Sequence, residues 1–561
     1  MKKINPTNLA FLIVITLFLI LILETITFII GFKINNYCFF VALLTVAIYI
    51  NRNKISVLET LIFLLILIIS YFISILFFDI SGDGQWYHQD IIIALKNGWN
   101  PVYHNYISTD GSQIYVQHYS KGHEIISASI YYLTGNIESG KMINILVAIS
   151  CYIVSLQFFK KHFSKFKSIS YAFIITFNPI VVTQAFTYYI DGFTYNVFII
   201  FIFSIINYFK IQNHNNAILF IASISIFFSL KFTSLPILAI TTFISVAYLI
   251  YKKRKLKVQF IRPILFAIIP IVLLCSHPYI TNILENKSIF YPALEKNKNV
   301  LSVHIPMEIQ EKNNIYKLFI SLFSKTGTPD KNITSGLKIP YTFSLDEIKK
   351  LGNTTIVLGG FGVFFSGIFI NSTLIFIASL FYKLDQKNKF EILFFIIGLI
   401  LYIIIFPEPW LARILPQIYI LPILFLIFYE FSDRKIHLIS ILKNITIIFI
   451  YINIFLFISV SMFYNVFYSL KTHYILSELK KNNVVYCVQY INFRSNLNRL
   501  EDNGIKYKLC NLNDEKKQNL VFFEPKNLKY STRIKTKLTG PKPTILIELE
   551  NIYSKITGNK E

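Results

Sequence analysis

From Phe77 to His104 the chain reads FFDISGDGQWYHQDIIIALKNGWNPVYH, gathering Asp79, Asp83, Asp90, His88 and Trp86 within a short stretch, with Gly82 and Gly84 flanking Asp83. Glycines on both sides permit a tight backbone turn that presents the carboxylate. An ionised carboxylate so presented is suited to accept a proton from a hydroxyl. The plainer reading is that these polar groups solvate a helix end. Three carboxylates, a histidine and two glycines this close together favour chemistry, and Asp83 is the expected general base. The same segment continues as HYSKGHEIISASIYYLTGNIESGKMIN, where Lys121, His123 and Glu124 lead into an apolar run expected to be a re-entrant or interfacial helix returning at Gly135. Lys121, with His88 and Glu124, is a candidate substrate-binding residue; a solvated helix start is the competing reading.

Three further charges belong to the same argument. Asp191 lies in FNPIVVTQAFTYYIDGFTYN, after an Asn178-Pro179 break, and is either a helix N-cap or a second catalytic carboxylate. Lys231, in SLKFTSLP, and Arg413, in PEPWLARILPQ, are lone cations at the ends of apolar runs. Such a residue either snorkels to lipid headgroups or pairs with an opposite charge, because burying it alone costs several kcal/mol. Two carboxylates and two cations on one membrane face suit a site in which carboxylates handle a hydroxyl and cations hold a phosphate.

The elements that must position these residues are membrane helices. Of 561 residues, 54% are hydrophobic and 15% charged, and the mean hydropathy is +0.55. This excludes a soluble enzyme and an intrinsically disordered chain. The fold class expected is an α-helical polytopic membrane protein of about thirteen spans, at roughly 20 residues per span. They fall near 8–31, 36–50, 56–79, 141–159, 169–187, 192–209, 216–231, 234–251, 263–279, 355–382, 391–407, 411–431 and 441–466. With Met1, Lys2 and Lys3 inside, alternate crossing puts Arg52 and Lys54, Lys160–Lys167, Lys252–Arg262, Lys383–Lys389, and Arg434 with Lys435 on the cytoplasmic side. The first apolar run is read as an anchor rather than a cleaved signal. A net charge of +24 would suggest nucleic acid in a soluble chain. Here short basic loops and lipid headgroups account for it, and no nucleic-acid partner is expected.

The expected organisation is a membrane domain over 1–469, with outer loops 80–140 and 280–354, and a soluble α/β domain over 470–561 on the outer face. In the tail, VVYCVQY, IKYKL, NLVFFEP and TILIELE are expected as strands, and NLNRLEDNG as a short helix ending at Gly504. Cys38, Cys151 and Cys275 sit in apolar runs and pack; Cys487 and Cys510 share the tail, where a disulfide is one outcome. The sequence offers no metal-ligand cluster, P-loop or dinucleotide fingerprint.

The order of parts from Asp79 to Lys231, with Arg413 beyond, resembles the GT-C glycosyltransferases, closest to bacterial relatives of the protein O-mannosyltransferases and lipid A aminoarabinose transferases. The chain has GDGQWYH where many relatives have Asp-Glu, and it carries an additional hairpin before the first loop. The resemblance implies transfer of a sugar from a polyprenyl-phosphate donor to an envelope glycan, lipid or protein at the outer face of a bacterial inner membrane. It implies no cofactor beyond that lipid-linked donor. Asp83 matches the first-loop acid of the family. The rival readings are a polymerase or ligase of lipid-linked oligosaccharides and a non-catalytic transporter, whose paired broken helices are not evident in the sequence. Cysteine-accessibility labelling is expected to find positions in 80–140, 280–354 and 470–561 reactive from one side and 252–262 from the other; a cytoplasmic tail would remove the outer site.

Overall fold

A computed structural model describes residues 4–107, 111–251, 258–293, 305–327, 336–356, 358–381, 386–406, 408–432, 436–513, 515–516, 519–523, 532–538 and 540–557. The fold is mostly helical. Pro6–Ile29 runs through the middle of the bundle, apolar and largely buried, and Val57–Leu76 packs at the periphery with most of its surface open. Leu61, Leu64, Leu65, Ile68, Ile69 and Phe72 are exposed on that peripheral helix. In water such a face would be an aggregation liability, whereas against hydrocarbon it costs nothing, which fits a helical membrane protein.

Among the described residues, five helices are long and apolar enough to cross a membrane: Pro6–Ile29, Val57–Leu76, Ile137–Phe159, Asp191–Lys210 and His437–Lys481. A sixth forms if Arg262–Leu274 and Ser276–Leu284, bent by 56°, count as one broken span. Thirteen were expected, and several of the others are shorter apolar helices, among them Asn36–Arg52, His214–Phe228 and Phe365–Leu380. The run expected at 169–187 breaks into Lys165–Thr176 and Pro179–Gln184, with Asn178 as N-cap and Pro179 in the first turn. The basic residues at 252–257, with Lys383, Arg434 and Lys435, lie outside the described residues.

Two short helices differ in setting from a helix lying in the interface. Gln89–Lys96 ends at Gly98, with φ +98°, as its sequence requires, yet Gln89 through Leu95 are all buried, so it is an internal element. Gly122–Thr134 ends at Gly135 in the left-handed conformation and is likewise buried through Tyr131. Its first residue must be glycine: a Cβ there would come within 2.0 Å of Ser229 Oγ, and the Gly122 N–H donates to the Ser229 carbonyl at 2.9 Å. That close approach joins the segment 80–140 to the end of His214–Phe228, just before Lys231.

The helix His437–Lys481 continues without interruption past residue 470. Beyond it lie β1 (Tyr486–Gln489), β2 (Tyr507–Leu509), β3 (Leu520–Phe522) and β4 (Arg533–Lys535), in a sheet ordered β2-β1-β4-β3. The pairing β1–β2 is parallel, while β1–β4 and β3–β4 are antiparallel. The parallel pair is connected by the helix Ser495–Asp502, after which Gly504 has φ +71°. TILIELE is not a strand; it opens the helix Thr544–Thr557, which packs Leu546 and Tyr553 against Phe467 and Tyr474. Cys487 and Cys510 form a disulfide, their Cα atoms 5.5 Å apart. Closing a loop of 23 residues stabilises by about 3 kcal/mol in the chain-entropy account. Replacing both cysteines with serine is expected to lower the unfolding midpoint in detergent while leaving any transfer activity of the folded fraction unchanged.

Candidate active site

Four of the seven expected site residues meet in one ionic chain. Arg413 Nη2 donates to Asp83 Oδ2 at 2.9 Å, and Arg413 Nε lies 3.5 Å from Asp191 Oδ2. Lys231 Nζ donates to Asp191 Oδ1. The order is Asp83, Arg413, Asp191, Lys231, with signs alternating. The guanidinium plane also sits 4.4 Å from the centre of the Tyr189 ring, whose hydroxyl accepts the Asp83 backbone N–H at 3.3 Å. Asp83 keeps 30% of its side-chain surface exposed and Asp191 only 2%. Asp83 is therefore the accessible carboxylate, and Asp191 the one that holds the cations.

Each residue is fixed by its own element. Asp83 precedes a single π-helical turn, Gly84–His88, a rare geometry that re-aims side chains. Asp79 fastens that turn: its carboxylate accepts from Ser81 N at 2.7 Å, Ser81 Oγ at 2.6 Å and Tyr188 N at 2.7 Å. Burial pushes its carboxyl above the usual range, although Lys141 opposes the shift. Gly84 is obligatory, since a Cβ would stand 2.0 Å from Ser81 Oγ and 2.5 Å from the Asp79 carboxylate. Gly82 meets only the Tyr189 hydroxyl, at 3.9 Å, so its side of the turn stays open. Asp90 is bound by the Tyr106 hydroxyl at 2.8 Å and Ser112 Oγ at 3.0 Å, with Arg494 3.8 Å away, which makes it a structural lock.

Asp191 opens the helix Asp191–Lys210 but does not cap it. Its Oδ2 accepts from Gln184 Nε2 at 2.9 Å, while Gln184 Oε1 takes the Gly192 N–H at 2.8 Å. Arg413 stands on the irregular stretch before Pro416–Tyr419, anchored by the fully buried Trp410. Trp410 Nε1 donates to Glu408 Oε2 at 2.8 Å, Glu408 pairs with Lys317 at 3.1 Å, and Ser321 Oγ donates to the Trp410 carbonyl at 2.7 Å. Residues of Asn314–Phe323 thus help position the cation that meets Asp83.

The other three expected residues are elsewhere. His88 Nδ1 and Glu124 Oε1 form a buried pair at 2.5 Å, both nearly closed to solvent, so they brace the π-helical turn against Gly122–Thr134. Burial would raise the Glu124 carboxyl, but the His88 hydrogen bond and charge overcome this and hold it low. Lys121 points away from the ionic chain: its Nζ donates to the carbonyls of Tyr119 at 2.7 Å and Gln117 at 3.3 Å, and to His277 Nε2 at 2.5 Å. It is buried beside the Trp99 ring and is a structural lysine rather than a ligand to an anion at Asp83.

Sequence reasoning missed Tyr189, Gln184 and the tyrosines near Asp83. Tyr87 stacks on Tyr115 at 5.1 Å and meets Tyr119 edge-on at 5.8 Å, and Trp86 adjoins Tyr115 at 5.2 Å. It also missed a second ionic group behind the turn: Glu138 pairs with Lys141 at 2.5 Å and with Arg499 at 2.7 Å, and Arg499 donates to Gln85 Oε1 at 2.9 Å and to the Asp79 carbonyl at 3.1 Å. The spacing Glu138-x-x-Lys141 was a visible signal for the first pair. Nothing local announced Arg499. No family model and no curated protein sequence matches the chain.

Burial pushes the Lys121 ammonium down to about 7, against 10.5 for a free lysine, with Glu124 opposing the shift. Below pH 7 the folded and unfolded chains both carry this proton; between about 7 and 10.5 the unfolded chain binds more of it. This group's contribution to stability therefore rises with pH across that window. The difference in unfolding midpoint between wild type and Lys121→Met is expected to vary across those pH values, with the wild type gaining as pH rises.

Proposed function

We propose that the chain is a membrane glycosyltransferase of GT-C type that moves a sugar from a polyprenyl-phosphate donor to an envelope glycan, lipid or protein on the outer membrane face. The observation that carries this reading is the meeting of Asp83, Arg413, Asp191 and Lys231 from four separated segments. Unrelated helix caps and snorkelling charges have no reason to converge. In this reading the outer loops and the sheet-bearing tail face outward, and the shorter apolar helices complete a bundle of about thirteen spans with the bilayer thinned locally around them.

The reaction is a single displacement. The acceptor hydroxyl attacks the anomeric carbon, its proton passes to the Asp83 carboxylate, the bond from that carbon to the phosphate oxygen breaks, and polyprenyl phosphate leaves with the electron pair. Arg413 and Lys231 stabilise the charge that develops on the leaving phosphate. Asp83 is held by Arg413 in the resting site. A bound donor phosphate competes for the guanidinium and frees the carboxylate to act as a base. Asp191, buried and held by Gln184, keeps both cations in place throughout. Among the described residues, the bent pair Arg262–Leu274 and Ser276–Leu284 is the feature that favours the transporter reading. A transporter moves its substrate without breaking the glycosyl–phosphate bond, which separates the two by product analysis.

Asp83→Asn is expected to reduce sugar transfer by at least about 100-fold with donor binding largely kept, since a base acts only as the hydroxyl attacks. Arg413→Ala and Lys231→Ala are expected to raise the donor KM. Comparing lipid-linked sugars and surface glycans in cells with and without the protein is the decisive measurement: identical profiles would end the transferase reading.

A further inference from the structure

A cavity of about 770 Å³ opens beside the segment that carries Asp83. One wall is the stretch from Phe78 to Gln85, including Gly82; a second is the short helix Leu345–Lys350 with the turn that follows it to Thr355; the third is formed by His437–Lys481 and Thr544–Thr557. Its size falls within the roughly 300–1,000 Å³ typical of small-molecule sites. Its chemistry is mixed in a particular way. Asn353, Thr354, Thr355 and Thr472 supply amide and hydroxyl groups that both donate and accept, and Tyr464 and Tyr468 supply aromatic faces. The two tyrosine rings are nearly parallel, 16° apart with centres at 6.4 Å. They are held there: the Tyr468 hydroxyl donates to Tyr553 Oη at 3.0 Å, and Gly352 lies so close to Tyr464 that a Cβ would come within 2.2 Å of the ring. Lys349 and Lys350 lie at the wall, the former paired with Asp346 at 3.5 Å.

We infer that this cavity is a saccharide-binding site that presents the acceptor to Asp83 past Gly82, an inference that rests on the transferase reading for the word acceptor but not for the ligand class. A carbohydrate needs donors and acceptors together for its hydroxyls and a flat apolar surface for its C–H faces, and the walls provide both. A lipid tail needs neither amides nor lysines. An extended peptide pairs best with an open row of backbone groups, whereas these walls are helix faces and a loop presenting side chains. The two lysines extend the expected ligands to acidic sugars. Gly82 lines the cavity and directly precedes Asp83 in the chain, which places the candidate base next to the cavity wall.

The test uses the full chain in detergent, with a panel of defined neutral and uronic-acid oligosaccharides and Ser/Thr-containing peptides as probes, read by microscale thermophoresis. The expected result is binding of oligosaccharides that Thr355→Trp and Tyr468→Ala each weaken by at least about tenfold, equivalent to about 1.4 kcal/mol. Unfolding midpoints establish that the variants fold; if Thr355→Trp does not, Asn353→Ala and Lys350→Glu take its place. Binding of peptides alone, of no oligosaccharide, or with affinities that cavity variants leave unchanged would overturn the site. Turnover of lipid-linked donor by Asp83→Asn is scored separately. Unimpaired turnover there removes Asp83 as the base, absence of turnover by the wild type sinks the transferase reading, and saccharide binding stands in either case on its own result.

Discussion

The placement of Arg413 between Asp83 and Asp191 constrains everything around it. A guanidinium at the edge of a low-dielectric bundle must be neutralised, and a buried carboxylate such as Asp191 must be neutralised too. Neither can be satisfied by a neighbour in sequence, because Asp83, Asp191, Lys231 and Arg413 come from four different segments. Misplacing Arg413 unpairs Asp83 and misplacing Asp191 unpairs Lys231, so the two inner members of the chain carry the constraint. The close contacts at Gly84, Gly122 and Gly192 serve that convergence. At Gly192 a Cβ would come within 2.9 Å of the Val181 Cα, so Pro179–Gln184, which carries Gln184, packs directly on the helix that begins with Asp191.

A second neutralisation ties the tail to the same turn. Arg499, on Ser495–Asp502, is 3% exposed and reaches Glu138, Gln85 and the Asp79 carbonyl, while Asp502 accepts from the Tyr131 hydroxyl at 3.0 Å and the Ile137 N–H at 2.9 Å. The tail is therefore docked on the back of the segment that presents Asp83. Asp79 connects the two groups: its carboxylate shapes the π-helical turn on one side, and its carbonyl receives Arg499 on the other. A disturbance of the sheet-bearing tail consequently reaches the candidate base through two hydrogen bonds rather than through a long packing path.

How much was legible in the sequence follows from the range of each interaction. Asn178-Pro179, Gly98 and Gly135 announced helix boundaries because capping and left-handed backbone are local properties. Asp83, Asp191, Lys231 and Arg413 were legible as a group because charges are scarce in apolar surroundings and a topology assigns them a common face. Lys121 was misread since nothing nearby shows that its partners are the Tyr119 and Gln117 carbonyls and His277. QDIIIALK has the pattern of an interfacial helix, but the number of neighbours covering its polar side is a tertiary fact. TILIELE alternates over a few residues like a strand. The longer register decides: Leu546 and Tyr553, seven apart, share one buried face, which is the period of a helix. β4 has three residues and takes its identity from pairing with β1 and β3.

The tyrosines explain why an ion-paired acid is compatible with base chemistry in the proposed reaction. Tyr189 underlies the guanidinium, so Arg413 keeps one favourable contact when its hold on Asp83 is exchanged for a phosphate. Asp191 keeps a second, along with Lys231. Only the Asp83 contact has to break, and Asp83 is also the most exposed of the four. The arrangement is thus asymmetric. In the proposed reaction the buried half stays assembled throughout, and the open half carries the one carboxylate that the donor phosphate releases. A site with both carboxylates equally buried would have to desolvate and rearrange before each reaction; here the reorganisation is confined to a single hydrogen-bonded pair at the surface.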